Sequence, residues 1–183
     1  LKLCICDIDG VIVNATKRFL AATIDGKIVW EKALSSELLH LDELVLDAVK
    51  HLELIRSHYD QLVLLTSRYD HMRDATVAWL REHGVPGYDR AIFKSWDNDR
   101  YRKTKIWKAE QVITLLREAS QPGLFNAPQE AVTDLLIVED EEANREEIHQ
   151  EVGRWIMSNQ KMRAHYFTDL YDVARAIEHT TLY

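Results

Sequence analysis

The sequence predicts an α/β fold in which a mostly parallel sheet is flanked by helices. Three observations carry that prediction. Short apolar runs alternate with longer amphipathic stretches from one end of the chain to the other. The amphipathic stretches are long enough to cross over between parallel neighbours, and no internal repeat or low-complexity segment breaks the rhythm. A chain of 183 residues is long enough to bury a substantial core and is expected to form one domain over residues 1–183.

The first run, residues 1–6, reads as a buried strand, and alternation puts Cys4 and Cys6 on the same side of it. These are the only 2 cysteines, without the second pair that a metal or disulfide framework would need, so they read as core thiols of a reducing compartment. Residues 19–30 contain Ile24-Asp25-Gly26-Lys27-Ile28, and an Asp-Gly pair between alternating apolar positions signals a small hairpin. In residues 42–58, Leu44, Val45, Ala48, Val49, Leu52 and Ile55 share one helical face. A strand at 62–66 follows. A helix over 70–83 comes next, with Met72, Ala75, Trp79 and Leu80 inward and Gly84 as its stop. A third strand, 91–93, precedes a helix over 103–118 that turns Ile106, Ala109, Ile113 and Leu116 inward. Residues 120–129, with Pro122, Gly123, Asn126 and Pro128, read as a surface loop. Strands at 135–138 and 164–167 complete the sheet, with shorter helices after Asp140 and Thr168.

Ligands of an open parallel sheet bind at the carboxyl ends of its strands. The first strand ends in Asp7-Ile8-Asp9-Gly10, the second in Thr66-Ser67-Arg68, and the fourth in Glu139-Asp140-Glu141-Glu142. Each fragment alone has an ordinary explanation: a turn, a helix cap, or acids at a helix start. Their joint placement at successive strand ends is hard to obtain from caps and turns. Carboxylates converging from separate strands repel unless a cation lies among them, and oxygen donors at this density suit Mg²⁺. Lys103, Lys105 and Lys108, which open the third helix, offer a second source of positive charge.

In order, Asp7-Ile8-Asp9-Gly10-Val11, Leu64-Leu65-Thr66-Ser67-Arg68, a helix-borne lysine and Ile137-Val138-Glu139-Asp140 resemble the four motifs of the haloacid dehalogenase (HAD) superfamily of phosphohydrolases. Thr66-Ser67-Arg68 with Asp99, Arg102 and Lys108 is similar to the phosphatase domain of polynucleotide kinase-phosphatase enzymes. The resemblance implies a Rossmann-like sheet and an Mg²⁺-dependent phosphomonoesterase acting through a phosphoaspartyl intermediate. In that scheme Asp7 is the nucleophile, and Asp9 protonates the leaving alkoxide and then takes a proton from water. Mg²⁺ is held by Asp7, the backbone carbonyl of Asp9 and Asp140. Thr66 donates to a phosphoryl oxygen and Arg68 binds the phosphate or its neighbour. Lys108 is the neutralising cation, with Lys105 as the alternative. Glu139 stands where Asp or Gly is usual, and Asn144 is either a further partner or an exposed helix residue.

Both positions where this family inserts a large cap hold short segments, so a hairpin flap and an open site are expected. The implied substrate is a phosphorylated small molecule or a nucleic-acid end, with nucleotide or nucleic-acid 3'-phosphates as the sub-pattern's suggestion. Trp96 and Tyr101 near Arg100 and Arg102 either stack a base beside a phosphate or pack within their own loop. A net charge of -7 argues against gripping a long polyanion. No run reaches the roughly 18 apolar residues of a membrane span, and a cytoplasmic protein is expected. None of the 8 histidines shows metal-ligand spacing with a third ligand. A phosphoryl-accepting receiver would carry its acid pair on the first strand and its acceptor Asp later, the reverse of the order here. A degenerate binding module, suggested by Glu139, is the remaining alternative.

Overall fold

The computed structural model describes residues 1–120, 131–159 and 162–179, so the loop expected at 120–129 lies, from 121 onward, outside the described residues. In chain order the elements are β1 (Lys2–Cys6), β2 (Val13–Asn14), α1 (Thr16–Ala21), β3 (Thr23–Ile24), β4 (Lys27–Ile28) and α2 (Trp30–Ala33). A 3-10 turn (Ser36–Leu41), β5 (Glu43–Leu44), α3 (Ala48–His58), β6 (Gln61–Tyr69), a second 3-10 turn (Asp70–Met72) and α4 (Arg73–Glu82) follow. The chain then forms β7 (Arg90–Lys94), α5 (Trp96–Asp99), α6 (Thr104–Ser120), β8 (Asp134–Val138), α7 (Glu142–Asn159), β9 (Arg163–Phe167) and α8 (Leu170–Glu178).

Five strands form one parallel sheet in the order β7-β6-β1-β8-β9. The chain leaves the central β1 to build one half of the sheet, then returns to build the other, which opens a crevice at the carboxyl end of β1. Strand alternation splits the core in two. Cys4, Cys6, Leu62, Leu64, Leu136 and Val138 face α3, α4 and α8. Leu3, Ile5, Val63, Leu65, Leu135 and Ile137 face α6 and α7. Both thiols therefore share a face, and burial pushes both up and leaves them unreactive. No described helix is long and apolar enough to cross a membrane.

Three elements differ from expectation. The helix expected from 42 begins at Ala48, because residues 43–44 pair antiparallel with β2 and Asp47 adopts a left-handed φ of 56°. Buried Asp42 is fixed there by Arg18 and Arg68, so tertiary ion pairs override the local apolar periodicity. The short helix expected after Asp140 is α7, with 18 residues. Its buried stripe is narrow, Ile148 and Val152 with Trp155 and Ile156 packed behind, and lies between charged neighbours that mask it in sequence. The flap contains the expected hairpin, with positive φ at Asp25 and Gly26 as a tight turn of this kind requires. It also contains α1, α2 and a 3-10 turn, which the sequence reading does not anticipate.

Candidate active site

The strand ends and the flap enclose a cleft of about 1200 Å³. Asp7 leaves β1 with its N–H donating to the Val138 carbonyl at 2.9 Å, an extension of the ladder that fixes where its side chain emerges. One carboxylate oxygen accepts the Ile8 N–H at 2.7 Å and the other accepts Lys108 Nζ at 2.6 Å. Lys108 projects from α6 and is buried, and it also donates to Glu139 at 2.6 Å. The second Glu139 oxygen accepts Asn144 Nδ2 at 2.9 Å. Burial opposes the charge on Lys108, but the Asp7 and Glu139 carboxylates outweigh it and hold the ammonium above the ordinary lysine range. Burial also pushes the Asp7 carboxyl up, with Lys108 opposing and Glu139 reinforcing.

Asp7, Glu139 and Asp140 each place a carboxylate oxygen within 4.8 Å of the others. Asp140 reaches this position over Gly10, which has φ 83°, and a Cβ built on Gly10 would lie 2.0 Å from Asp140 Oδ2. The positive φ favours glycine, and any side chain there would displace the Asp140 carboxylate. An oxygen-only donor set beside a glycine cradle fits a hard divalent cation such as Mg²⁺.

Asp9 has a different environment. Its Oδ1 accepts Arg18 Nη2 at 2.6 Å and Arg68 Nη2 at 2.7 Å, and its Oδ2 accepts Arg68 Nε at 2.9 Å. Buried Asp42 binds both arginines from the far side, at 2.8 Å to Arg18 Nε and 2.7 Å to Arg68 Nη2. Burial pushes the Asp9 carboxyl up, but Arg68 and then Arg18 overcome it and hold the group below the usual carboxylate range. The Asp9 side chain is thus held by two guanidinium groups and is not part of the carboxylate cluster around Asp140.

Of the residues singled out in sequence, Asp7, Asp9, Lys108 and Asp140 line one cleft. Arg68 does not line the cleft. Fully buried, its guanidinium is spent on Asp9, Asp42 and Thr76, so it positions Asp9. Thr66 is also fully buried, with Oγ1 accepting the Arg68 N–H at 3.1 Å, and Ser67 lines the cleft in its place. The pairing of β6 with β7 shifts register between Thr66 and Tyr69, and this irregularity turns Ser67 toward the cleft. Lys105 pairs with Glu147 at 2.7 Å on the seam between α6 and α7, away from Asp7. Asn144 is a buried partner of Glu139 and not an exposed helix residue. Asp99 and Arg102 pair with each other at 3.2 Å. Trp96 packs edge-on against Tyr69 with ring centres 4.8 Å apart.

Sequence reasoning misses Arg18, Asp42 and Lys94. No local pattern marks Arg18, whose burial depends on carboxylates elsewhere in the chain. Lys94 closes the third strand, and the strand-end rule applied there would have found it.

No family model and no curated protein matches the sequence. Solved structures do resemble it. A haloacid dehalogenase-like hydrolase from Streptococcus pneumoniae superposes with a TM-score of 0.57 at 14% identity, covering 97% of this chain and 98% of that one. The D,D-heptose 1,7-bisphosphate phosphatase of B. bronchiseptica, complexed with magnesium and phosphate, gives 0.55 at 14% identity over 98% and 99%. A chain of the Pnkp1/Rnl/Hen1 complex gives 0.49 at 20% identity over 92% of this chain, which spans only 46% of that longer one.

Proposed function

The chain has the fold of the haloacid dehalogenase-like hydrolases, and on that premise we propose that it is an Mg²⁺-dependent phosphomonoesterase with Asp7 as nucleophile. The observation that carries the proposal is the meeting of Asp7, Glu139 and Asp140 within 4.8 Å, with Lys108 bonded to two of them. Turn and cap chemistry gives no reason to bury a lysine between carboxylates from two strands.

Asp7 and Asp140 through their carboxylates, and Asp9 through its carbonyl, would hold the metal. Bound there, Mg²⁺ supplies the positive charge that lets an anionic carboxylate approach an anionic phosphate. An Asp7 oxygen attacks phosphorus in line, the bond from phosphorus to the ester oxygen breaks, and a phosphoaspartyl group forms. Asp9 gives its proton to the departing alkoxide. Water then attacks the phosphoaspartyl phosphorus, Asp9 takes its proton back, and inorganic phosphate leaves. Lys108 neutralises the Asp7 carboxylate, and Glu139 with Asn144 fixes the Lys108 ammonium. The two arginines orient Asp9 and favour its ionised form, which is ready to accept a proton from water. A phosphomonoester, whose second pKa is about 6, arrives partly as the monoanion and brings the proton that Asp9 passes to the leaving group.

Nucleotide or nucleic-acid 3'-phosphates are the substrates we favour. The cleft is open, and the aromatic rings of Phe19, Trp30 and Tyr69 share its lining with Ser67 and the basic residues Arg100 and Lys103. Buried, unpaired Cys4 and Cys6 suit a reducing cytoplasm.

The test is phosphate release by the purified protein with Mg²⁺ from 4-nitrophenyl phosphate, nucleotides and 3'-phosphorylated oligonucleotides, with Asp7→Asn as control. Release by the wild type and a loss of at least about 10³-fold in the variant support the nucleophile. Equal activity of the two proteins removes it.

A further inference from the structure

The cleft has a second charged wall that the chemistry at Asp7 does not use. Its acidic lining residues, Asp7, Asp9, Asp140 and Glu141, come from the ends of β1 and β8. The end of β7 and its connection to α6 contribute Lys94, Arg100, Arg102 and Lys103 to the lining and no acid. In a protein of net charge -7 this concentration runs against the overall sign.

Lys94 is the informative member. It is only 3% exposed, yet it borders the cleft, and its Nζ donates to the Arg102 carbonyl at 2.6 Å. Among the described residues no carboxylate lies within ion-pair distance of it. Asp99, whose charge favours the Lys94 ammonium, is engaged by Arg102. An ammonium has three N–H donors, and burying one with a single neutral acceptor is costly unless an anion completes it. Arg102 is neutralised by Asp99 and Glu110. Arg100 lies over the Trp96 and Tyr101 rings, at 5.6 and 4.8 Å, and has no carboxylate partner among the described residues. Lys103 is exposed at the rim and equally without one.

We infer that Lys94, Arg100 and Lys103 form a subsite for a second phosphate, so that the preferred substrate carries another phosphate group beside the ester presented to Asp7. The inference rests on the reading of Asp7 as the reaction centre and extends it to substrate class. The second phosphate comes either from the next phosphodiester of a nucleic-acid strand or from a second phosphate on a small molecule.

The test compares kcat/KM with Mg²⁺ for a nucleoside 3'-monophosphate, the matching 3',5'-bisphosphate and a dinucleotide ending in a 3'-phosphate. A preference of about 10-fold or more over the monophosphate, expressed in KM and falling with added salt, is expected for at least one doubly charged substrate. If the dinucleotide alone gains, the source is a strand; if the bisphosphate gains as much, a small molecule suffices. Lys94→Met should bring the ratio close to 1, and Lys103→Ala combined with Arg100→Ala, at exposed positions, should lower it several-fold even if the buried substitution does not fold. No preference in the wild type overturns the inference while leaving the Asp7 reading intact. So does an equal loss on all substrates in Lys94→Met, which would make Lys94 a strut for the Arg102 loop. Calorimetric titration of the Asp7→Asn protein decides the matter without turnover: the bisphosphate should bind at least about 10-fold tighter than the monophosphate, and equal affinities sink the subsite. A protein that prefers the bisphosphate in binding but releases phosphate from nothing overturns the reaction and keeps the subsite.

Discussion

Gly10→Ala separates a steric requirement from a conformational one. The φ of 83° at Gly10 is close to the 73° at Gly26, but an added Cβ meets nothing within 4 Å at Gly26 and Asp140 Oδ2 at 2.0 Å at Gly10. Alanine in the left-handed region costs about 1–2 kcal/mol at either site, which for a chain of this size lowers Tm by about 2–8 °C. At Gly10 the Asp140 carboxylate must also retreat, from 2.0 Å to at least the 3.4 Å of ordinary contact. A metal ligand displaced that far should weaken Mg²⁺ by at least about 10-fold, which removes about 1.4 kcal/mol of the stabilisation that saturating Mg²⁺ confers. The assay is calorimetric unfolding of wild type, Gly10→Ala and Gly26→Ala across a Mg²⁺ series. Both variants should lose a similar amount of Tm without metal, and only Gly10→Ala should show a reduced Mg²⁺-induced rise. Equal Mg²⁺ responses in the two variants would refute the assignment of Asp140 as a ligand.

Chelation should lower Tm of the wild type and Mg²⁺ should restore it, while Asp140→Asn should be largely insensitive to both in the same calorimetric scan. Asp9→Asn should slow release of a poor alkoxide leaving group by about 10²–10⁴-fold and release of 4-nitrophenolate much less; stopped assays on both esters decide, and equal losses would remove the general acid. Asp42→Asn, which takes the shared charge from between two buried guanidinium groups, should destabilise by about 3–5 kcal/mol, read as the midpoint shift in urea unfolding. Ser67→Ala should raise KM for phosphomonoesters several-fold because it lines the cleft, and steady-state kinetics showing no change would leave Ser67 as scaffold.

The sheet strands were legible because each is built on a short apolar run, and the carboxyl-end rule then pointed to Asp7, Asp9 and Asp140, whereas Lys108, on a helix, came from the resemblance. Lys108 shows how far this goes: periodicity restricts the cation to the opening turns of α6, the resemblance favours Lys108 over Lys105, and packing turns Lys108 to Asp7 and Lys105 to Glu147. Arg18 shows where sequence reading stops. Lys17 and Arg18 are adjacent basic residues in a short helix, yet Lys17 stays exposed on Glu43 while Arg18 is buried on Asp9, Asp42 and the Ala33 carbonyl. Helical phase decides which of the two turns inward, and the flap helix α1 carries no apolar stripe long enough to set that phase. The same missing stripe explains why α1 itself was not anticipated.

The two aspartates two residues apart show how one strand end supplies opposite electrostatic surroundings. Asp7 emerges beside the Glu139 carboxylate, and burial and that neighbour push its carboxyl up against the pull of Lys108. Asp9 emerges on the flap side, where Arg68 and Arg18 pull its carboxyl down despite burial. In the proposed reaction Asp7 must be anionic when phosphate arrives, and a cation held at Asp140 would favour that anion. As the proposed proton carrier, Asp9 would have to keep its orientation through both halves of the reaction, which a bidentate guanidinium provides and a single ammonium would not. Asp42 ties the two arginines together from behind, so the orientation of Asp9 depends on the segment between β5 and the preceding 3-10 turn. That segment is where the expected helix fails to start, and the loss of those helical turns is offset by the ion pairs that hold Asp9 in place.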